Sequence, residues 1–160
     1  MAELSPFFLK QFVPSQVCLK CEGCCRFQAA DSIWRPKWDK KEFTDDNDYV
    51  TTIVDCGRHL CRFFNKSDST CRVYADRPFE CVLYPFLLSR HVEGIKAYVH
   101  LACPYVQDHH SSAAFNEYVE YLRAFFTQPR TLDFLRGNSR LIHDYAPVEN
   151  ELRYLFTFVL

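Results

Sequence analysis

The sequence predicts an α+β fold: a small irregular cysteine-rich region with short strands, capped by C-terminal helices. Three observations predict it. All nine cysteines fall between residues 18 and 103, and the last 57 residues hold none. Runs of β-branched and aromatic residues, broken by polar turns, mark short strands in the first part. From Ser111 onward, apolar residues recur at helical spacing. With 160 residues, 48% of them apolar, the chain can bury a core unaided. A single domain over 1–160 is therefore expected, with 18–104 as the cysteine-cluster region and 111–160 as the helical cap.

The elements follow in order. Thr51-Thr52-Ile53-Val54-Asp55 is rich in β-branched residues and reads as a strand. Leu60 to Asn65 follows, then the polar turn Lys66-Ser67-Asp68-Ser69-Thr70. Pro78 suits the first turn of a short helix leading into Cys81. Tyr84 to Val92 and Ile95 to Leu101 read as two strands about a Glu93-Gly94 turn. Ser111 and Ser112 can cap a helix that carries Phe115, Tyr118, Leu122, Phe125 and Phe126. Pro129 stops it, and a short helix through Leu132 and Leu135 ends near Gly137. Pro147 then suits the start of a last helix with Leu152, Leu155, Phe156 and Val159 on one face.

Charge and hydropathy exclude several functions. The formal net charge is -1, with no basic run to track nucleic acid or an anionic membrane surface. No apolar stretch approaches the ~18 residues of a membrane span. Met1 to Pro14 mixes Phe7, Phe8, Leu9 and Phe12 with Glu3, Pro6, Lys10 and Gln11, which is no pattern for a signal peptide. A reducing cytoplasm is the expected compartment. There a disulfide framework fits poorly, since the cysteine count is odd and the domain is too large to need staples. Metal ligation is the leading explanation for so many thiols.

The sharpest motif is Cys18-Leu19-Lys20-Cys21-Glu22-Gly23-Cys24-Cys25. Two residues between cysteines let the chain wrap a metal, and Gly23 can supply the positive φ of a tight knuckle. Backbone N–H groups in such a turn point at the sulfurs. Cys18, Cys21 and Cys24 match the opening of a bacterial ferredoxin motif, but the adjacent Cys25 breaks it. In extended chain the side chains of Cys24 and Cys25 point to opposite sides, so these two are expected to face different centres, unless one is a packed spectator.

Further blocks follow: Cys61-Arg62-Phe63-Phe64, then Cys71-Arg72-Val73-Tyr74-Ala75-Asp76-Arg77-Pro78-Phe79-Glu80-Cys81-Val82-Leu83-Tyr84-Pro85, then Cys103-Pro104. Together with the opening run, these resemble the CxxCxxCC family of zinc- or iron-chelating proteins, the YkgJ-like cysteine-cluster proteins. That family pairs the same opening with a Cys-x-Phe-Leu, a Cys-x-Ile-Tyr-x-x-Arg-Pro-x-x-Cys-Arg-x-Tyr-Pro stretch and often a later Cys-Pro. All four blocks stand here in order, from Cys18 to Pro104. Phe64 replaces the usual Leu, Val73 the usual Ile, and Val82 the usual Arg, so no role of that Arg carries over.

The resemblance implies eight metal-ligating cysteines: Cys18, Cys21, Cys24, Cys25, Cys61, Cys71, Cys81 and Cys103. Eight divides into two sets of four, the ligand number of a zinc tetrathiolate or a cubane cluster. Cys56 falls outside the pattern and is expected as a free thiol. Arg77 and Tyr74 are candidates to donate to sulfur and offset its charge, with a simple Arg77-Pro78 turn as the alternative. His59, His100, His109 and His110 are expected as polar residues rather than ligands.

Thiolate-only sites suit both zinc and iron–sulfur clusters. Cys61, Cys71 and Cys81 stand singly rather than in a second knuckle, which favours a 4Fe-4S cluster able to collect spread ligands, with zinc as the alternative. The function expected is a metal-binding protein, carrying one or two such clusters for electron transfer or in support of a partner enzyme. A zinc-stabilised interaction module is the second reading. A third is a methyltransferase-associated role, since the family resembles the cysteine-rich part of flagellin lysine methylases. No glycine-rich loop after a strand is present to hold a nucleotide-like cofactor, so the reading leans against an enzyme and towards a protein partner.

Overall fold

A computed structural model of the chain describes residues 9–21 and 23–160, so the apolar Phe7 and Phe8 lie outside the described residues. The fold is α+β, as expected. Among the described residues, Val13–Val82 form one compact unit; Leu83–Leu160, with residues 9–12, form the other. No helix among the described residues is long and apolar enough to cross a membrane.

The first unit holds the cysteine blocks on short elements. α1 (Ser15–Cys18) leads into the loop to β1 (Arg26–Phe27). β2 (Thr52–Asp55) and β3 (Arg58–Cys61) form an antiparallel hairpin, and β1 pairs the other edge of β3, giving the order β1-β3-β2. The hairpin turns in two residues, Cys56 (φ 47°) and Gly57 (φ 75°), a pair of left-handed residues that matches the twist of the flanking strands. β4 (Phe64–Asn65) and β5 (Thr70–Cys71) make a second ribbon across the polar turn predicted at 66–70. There the Asn65 and Asp68 carboxamide and carboxylate oxygens accept backbone N–H bonds from Ser67 and Thr70. A 3-10 turn at Tyr74–Asp76 precedes α2 (Phe79–Leu83), whose Cys81 and Val82 N–H groups donate to the Pro78 carbonyl, placing Cys81 as predicted. Val50, Leu60 and Phe64 are buried at the centre of the unit.

The second unit is a three-stranded antiparallel sheet with helices. β6 (Phe86–His91) and β7 (Gly94–His100) pair as the predicted hairpin, with Val92 and Glu93 as the loop, one residue earlier than the sequence suggests. α3 (Pro104–His109) follows, then α4 (Ala113–Phe125), capped by the Ser112 hydroxyl accepting from the Phe115 N–H at 3.1 Å, then α5 (Pro129–Gly137). The α4 stripe lies in the core as read from the sequence: Phe115, Leu122 and Phe126 are essentially inaccessible. Phe12 also joins this core, edge-on to Phe86, Tyr105 and Phe115.

The last helix predicted from Pro147 is not formed. Residues Ala146–Glu151 make 3-10 turns, and Leu152–Phe158 form β8, paired antiparallel to β7. A register shift opposite Ala97/Tyr98 leaves Leu155 unpaired. That bulge imitates helical spacing among Leu152, Leu155 and Phe156, which is why the period misleads. Pairing with β7 satisfies a strand edge that a helix would leave bare, and the run Tyr154 to Val159 is aromatic and β-branched.

Gly94 fixes how closely β8 can approach. It sits at φ +139°, and a Cβ built there would stand 2.6 Å from the Phe158 carbonyl oxygen. Gly94→Ala is therefore expected to destabilise this unit by about 1–3 kcal/mol, readable as a lower denaturation midpoint. An unchanged midpoint would show that the β7–β8 approach is looser than the structure has it.

Candidate metal centre

The opening cysteines sit on a loop that keeps turning. Cys18 ends α1, and the Cys21 N–H bonds the Cys18 carbonyl at 3.2 Å, bringing the two together. Gly23 lies beside Cys21: a Cβ built there would meet the Cys21 sulfur at an ordinary contact distance of 3.6 Å. Cys24 and Cys25 lie in a turn, not in extended chain. The argument that put their side chains on opposite sides therefore fails. The Cys18 thiol hydrogen-bonds the Cys24 sulfur, and the Cys24 thiol hydrogen-bonds Cys25.

Strand pairing then delivers the distant cysteines. The Cys61 N–H donates to the Cys25 carbonyl at 2.9 Å, extending the β1–β3 register by one step so that Cys25 faces Cys61 across the ribbon. Backbone N–H groups of Phe63 and Phe64 donate to the Cys61 sulfur. This is the donor arrangement expected of the opening loop, found at a later block. Cys71 is the cross-strand partner of Phe64, and its sulfur lies within electrostatic range of Cys61. Cys81, on α2, lies within range of Cys61, Cys24 and Cys71. Seven of the eight predicted ligands thus belong to one unit, and all are free thiols. Among the described residues, no three or more His, Cys, Asp or Glu side chains are arranged so that they could hold a metal ion.

The remaining residues sort as follows. Cys103 belongs to the second unit, where it is buried at the start of α3. Cys56 is exposed at the β2–β3 tip. His100 accepts or donates a 3.0 Å bond with the Tyr84 hydroxyl and lies 3.6 Å from Glu151, in the second unit. His109 bonds the Tyr105 carbonyl, and His110 meets Arg153.

Crowding sets the electrostatics. The hydrogen bond to Cys24, then burial, push the Cys18 thiol far up. At Cys24 the bond from Cys18 pulls the value down, but the bond to Cys25, burial and the charges of Cys25 and Cys21 outweigh it. Burial, reinforced by neighbouring sulfurs, raises Cys61 and Cys81. Opposing this, the Tyr74 hydroxyl donates to the Cys18 sulfur, the Arg77 guanidinium acts on it at longer range, and Arg62 does the same at Cys61. Arg77 is held in place over the Tyr74 ring (3.9 Å to the centroid) with a 2.7 Å bond to the Tyr74 carbonyl. Sequence reasoning missed Arg62 and the Phe63 and Phe64 N–H groups; the one signal for them was their place inside the Cys61 block.

Thiols that raise one another's pKa values resist ionising together, and a bound dication removes that resistance by supplying opposite charge. The donor set, all sulfur with N–H, hydroxyl and guanidinium support, fits a soft metal.

Comparison with known proteins agrees with this chemistry. The CxxCxxCC family model, described as a "putative zinc- or iron-chelating domain", matches residues 17–112. No curated protein and no solved structure matches the chain.

The raised thiols make the metal-free protein sensitive to base. Folded, these groups keep their protons above the pH of about 8.5 at which an unfolded chain begins to lose them. Their contribution is complete below that pH and lost as pH rises through the folded values. Reduced, chelated protein should therefore unfold at progressively lower denaturant from about pH 8.5 upward, whereas metal affinity should climb over the same range as protons compete less. Base-insensitive stability of the metal-free form would contradict the crowding.

Proposed function

Because the chain belongs to the CxxCxxCC family, we propose that it is a metal-binding module whose thiolates hold the metal directly, in the service of a protein partner. One observation carries this reading: seven family cysteines gather in a single unit, all unoxidised, with sulfurs that hydrogen-bond or repel one another. Without metal these thiols stay protonated, because ionising them would cost desolvation and like-charge repulsion. The expected ligands remain the eight family cysteines.

An all-thiolate donor set suits directly bound divalent ions such as zinc. A 4Fe-4S cluster, for electron transfer or in support of a partner enzyme, is the second reading. It is favoured by the wide chain spacing of Cys61, Cys71 and Cys81, each on a different element.

Anaerobic purification with metal and acid-labile sulfide analysis separates the two. Stoichiometric zinc, no sulfide and no colour supports the first; iron with equimolar sulfide and a brown chromophore supports the second. Metal-free protein whose thiols all react freely under these conditions would overturn both.

Tyr74 gives a test at one atom. Tyr74→Phe keeps the ring under Arg77 and removes only the hydroxyl bond to Cys18. Metal affinity, measured by chelator competition, is expected to fall by about 10-fold, at the lower end for lost outer-shell bonds. Unchanged affinity would show that the hydroxyl does not act on the bound form.

A further inference from the structure

We infer that residues 9–12 form a metal-sensitive strap, docked in the second unit only while bound metal keeps the first unit ordered. The inference rests on the metal-binding reading above and deepens it by naming what the metal controls. The strap is held by a clamp and an anchor. The Lys10 N–H donates to the Tyr121 hydroxyl at 3.0 Å, and the Tyr118 hydroxyl donates to the Lys10 carbonyl. Tyr118 and Tyr121 lie one turn apart on α4, so one helix face takes both main-chain groups of a single residue. Two residues on, the Phe12 ring packs against Phe86, Tyr105, Phe115 and Tyr118, its centroid 5.2–5.8 Å from theirs. Leu9 is buried as well. Residues 9–12 belong to no strand or helix, so docking depends on these contacts.

Connectivity makes this docking conditional. The chain joins the strap to the rest of its unit only through Val13–Val82, the unit that holds seven of the family cysteines. While that unit is folded, the separation of its two ends is fixed, and the strap reaches α4 at little cost in entropy. Once it loosens, docking the strap must close a flexible loop running from Phe12 to Leu83, and that cost grows with loop length. Two hydrogen bonds and two apolar side chains give a stabilisation of the same order as such a closure, so the state of the first unit decides the balance. The first unit in turn depends on its metal, because its ligands come together as a site only in the folded chain. Linkage makes the effect reciprocal: a strap released by metal loss must, when freed by mutation, weaken the metal by the same factor.

Hydrogen exchange on the full, reduced chain reads the strap directly, with zinc(II) loaded or removed by chelation and bound zinc counted on the same samples. Chelation is expected to speed exchange of the Lys10 amide by about tenfold or more. The Phe126 amide, bonded to the Leu122 carbonyl at 2.9 Å at the end of α4, should keep its protection. Tyr118→Phe removes only the hydroxyl that holds the Lys10 carbonyl, and Phe12→Ala removes the anchor. Each should speed Lys10 exchange in the zinc-loaded protein and lower zinc affinity by a matching factor, Phe12→Ala more strongly. Should either variant fail to fold, the wild-type comparison decides. A Lys10 amide indifferent to zinc, or zinc affinity unchanged in variants whose Lys10 exchanges faster, would overturn the strap and leave metal binding intact. Chelation that strips protection from α4 along with Lys10 would overturn it too, since the device needs a strap that leaves a folded unit. A chain that binds no zinc at all would overturn direct zinc binding and the strap together.

Discussion

The organisation of the first unit depends on one constraint: several thiols occupy a space in which they cannot all ionise unless a cation is present. Every local device there bears on it. The Phe63 and Phe64 N–H groups, the Tyr74 hydroxyl and the Arg77 and Arg62 guanidinium groups all favour negative sulfur, while burial and the neighbouring sulfurs oppose it. The opposition wins at Cys18, Cys24, Cys61 and Cys81. A protein that needed only small buried residues at these positions would gain nothing from donors aimed at sulfur. Donors together with crowding make sense for a site whose charge balance is completed by metal.

The same constraint explains why this unit can be so poor in ordinary core. Its buried apolar residues are Val13, Phe27, Trp38, Val50, Leu60 and Phe64, whereas the second unit buries most of the large side chains of the chain. A segment of that size with so thin a core is marginal by hydrophobic burial alone. Its strands are two to four residues long and form a three-stranded sheet and a two-stranded ribbon. Such a unit draws stability from cross-linking through ligands that exist as a site only in the folded chain. The cation–π contacts of Arg62 with Phe43 and Phe63, and of Arg35 with Tyr49, add at the margin.

The sequence made much of this readable, for identifiable reasons. Strands at Thr52–Asp55 and Phe86–His91, the turn into Cys81 and the α4 core stripe each follow from local composition that tertiary structure did not override. The ligand blocks were legible because their spacing is specific as a set. Two readings failed where a rule of regular structure was carried into irregular chain. Leu152, Leu155 and Phe156 mimic a helix only because a bulge at Leu155 interrupts strand alternation. Cys24 and Cys25 were assigned opposite sides from extended geometry, but they lie in a turn. The donors at Cys61 were invisible for a different reason: they are backbone groups, and nothing in residue identity announces which way an N–H points.

Those misreadings bear on the metal itself. Cys61, Cys71 and Cys81 look isolated in sequence, which argued for a cluster large enough to collect them. In the structure the β1–β3 register, the β4–β5 ribbon and α2 do the collecting, so wide chain spacing no longer requires a large centre. These elements bring single cysteines into one unit as a second knuckle would, and thiolates gathered in this way suit a zinc ion and an iron–sulfur cluster alike.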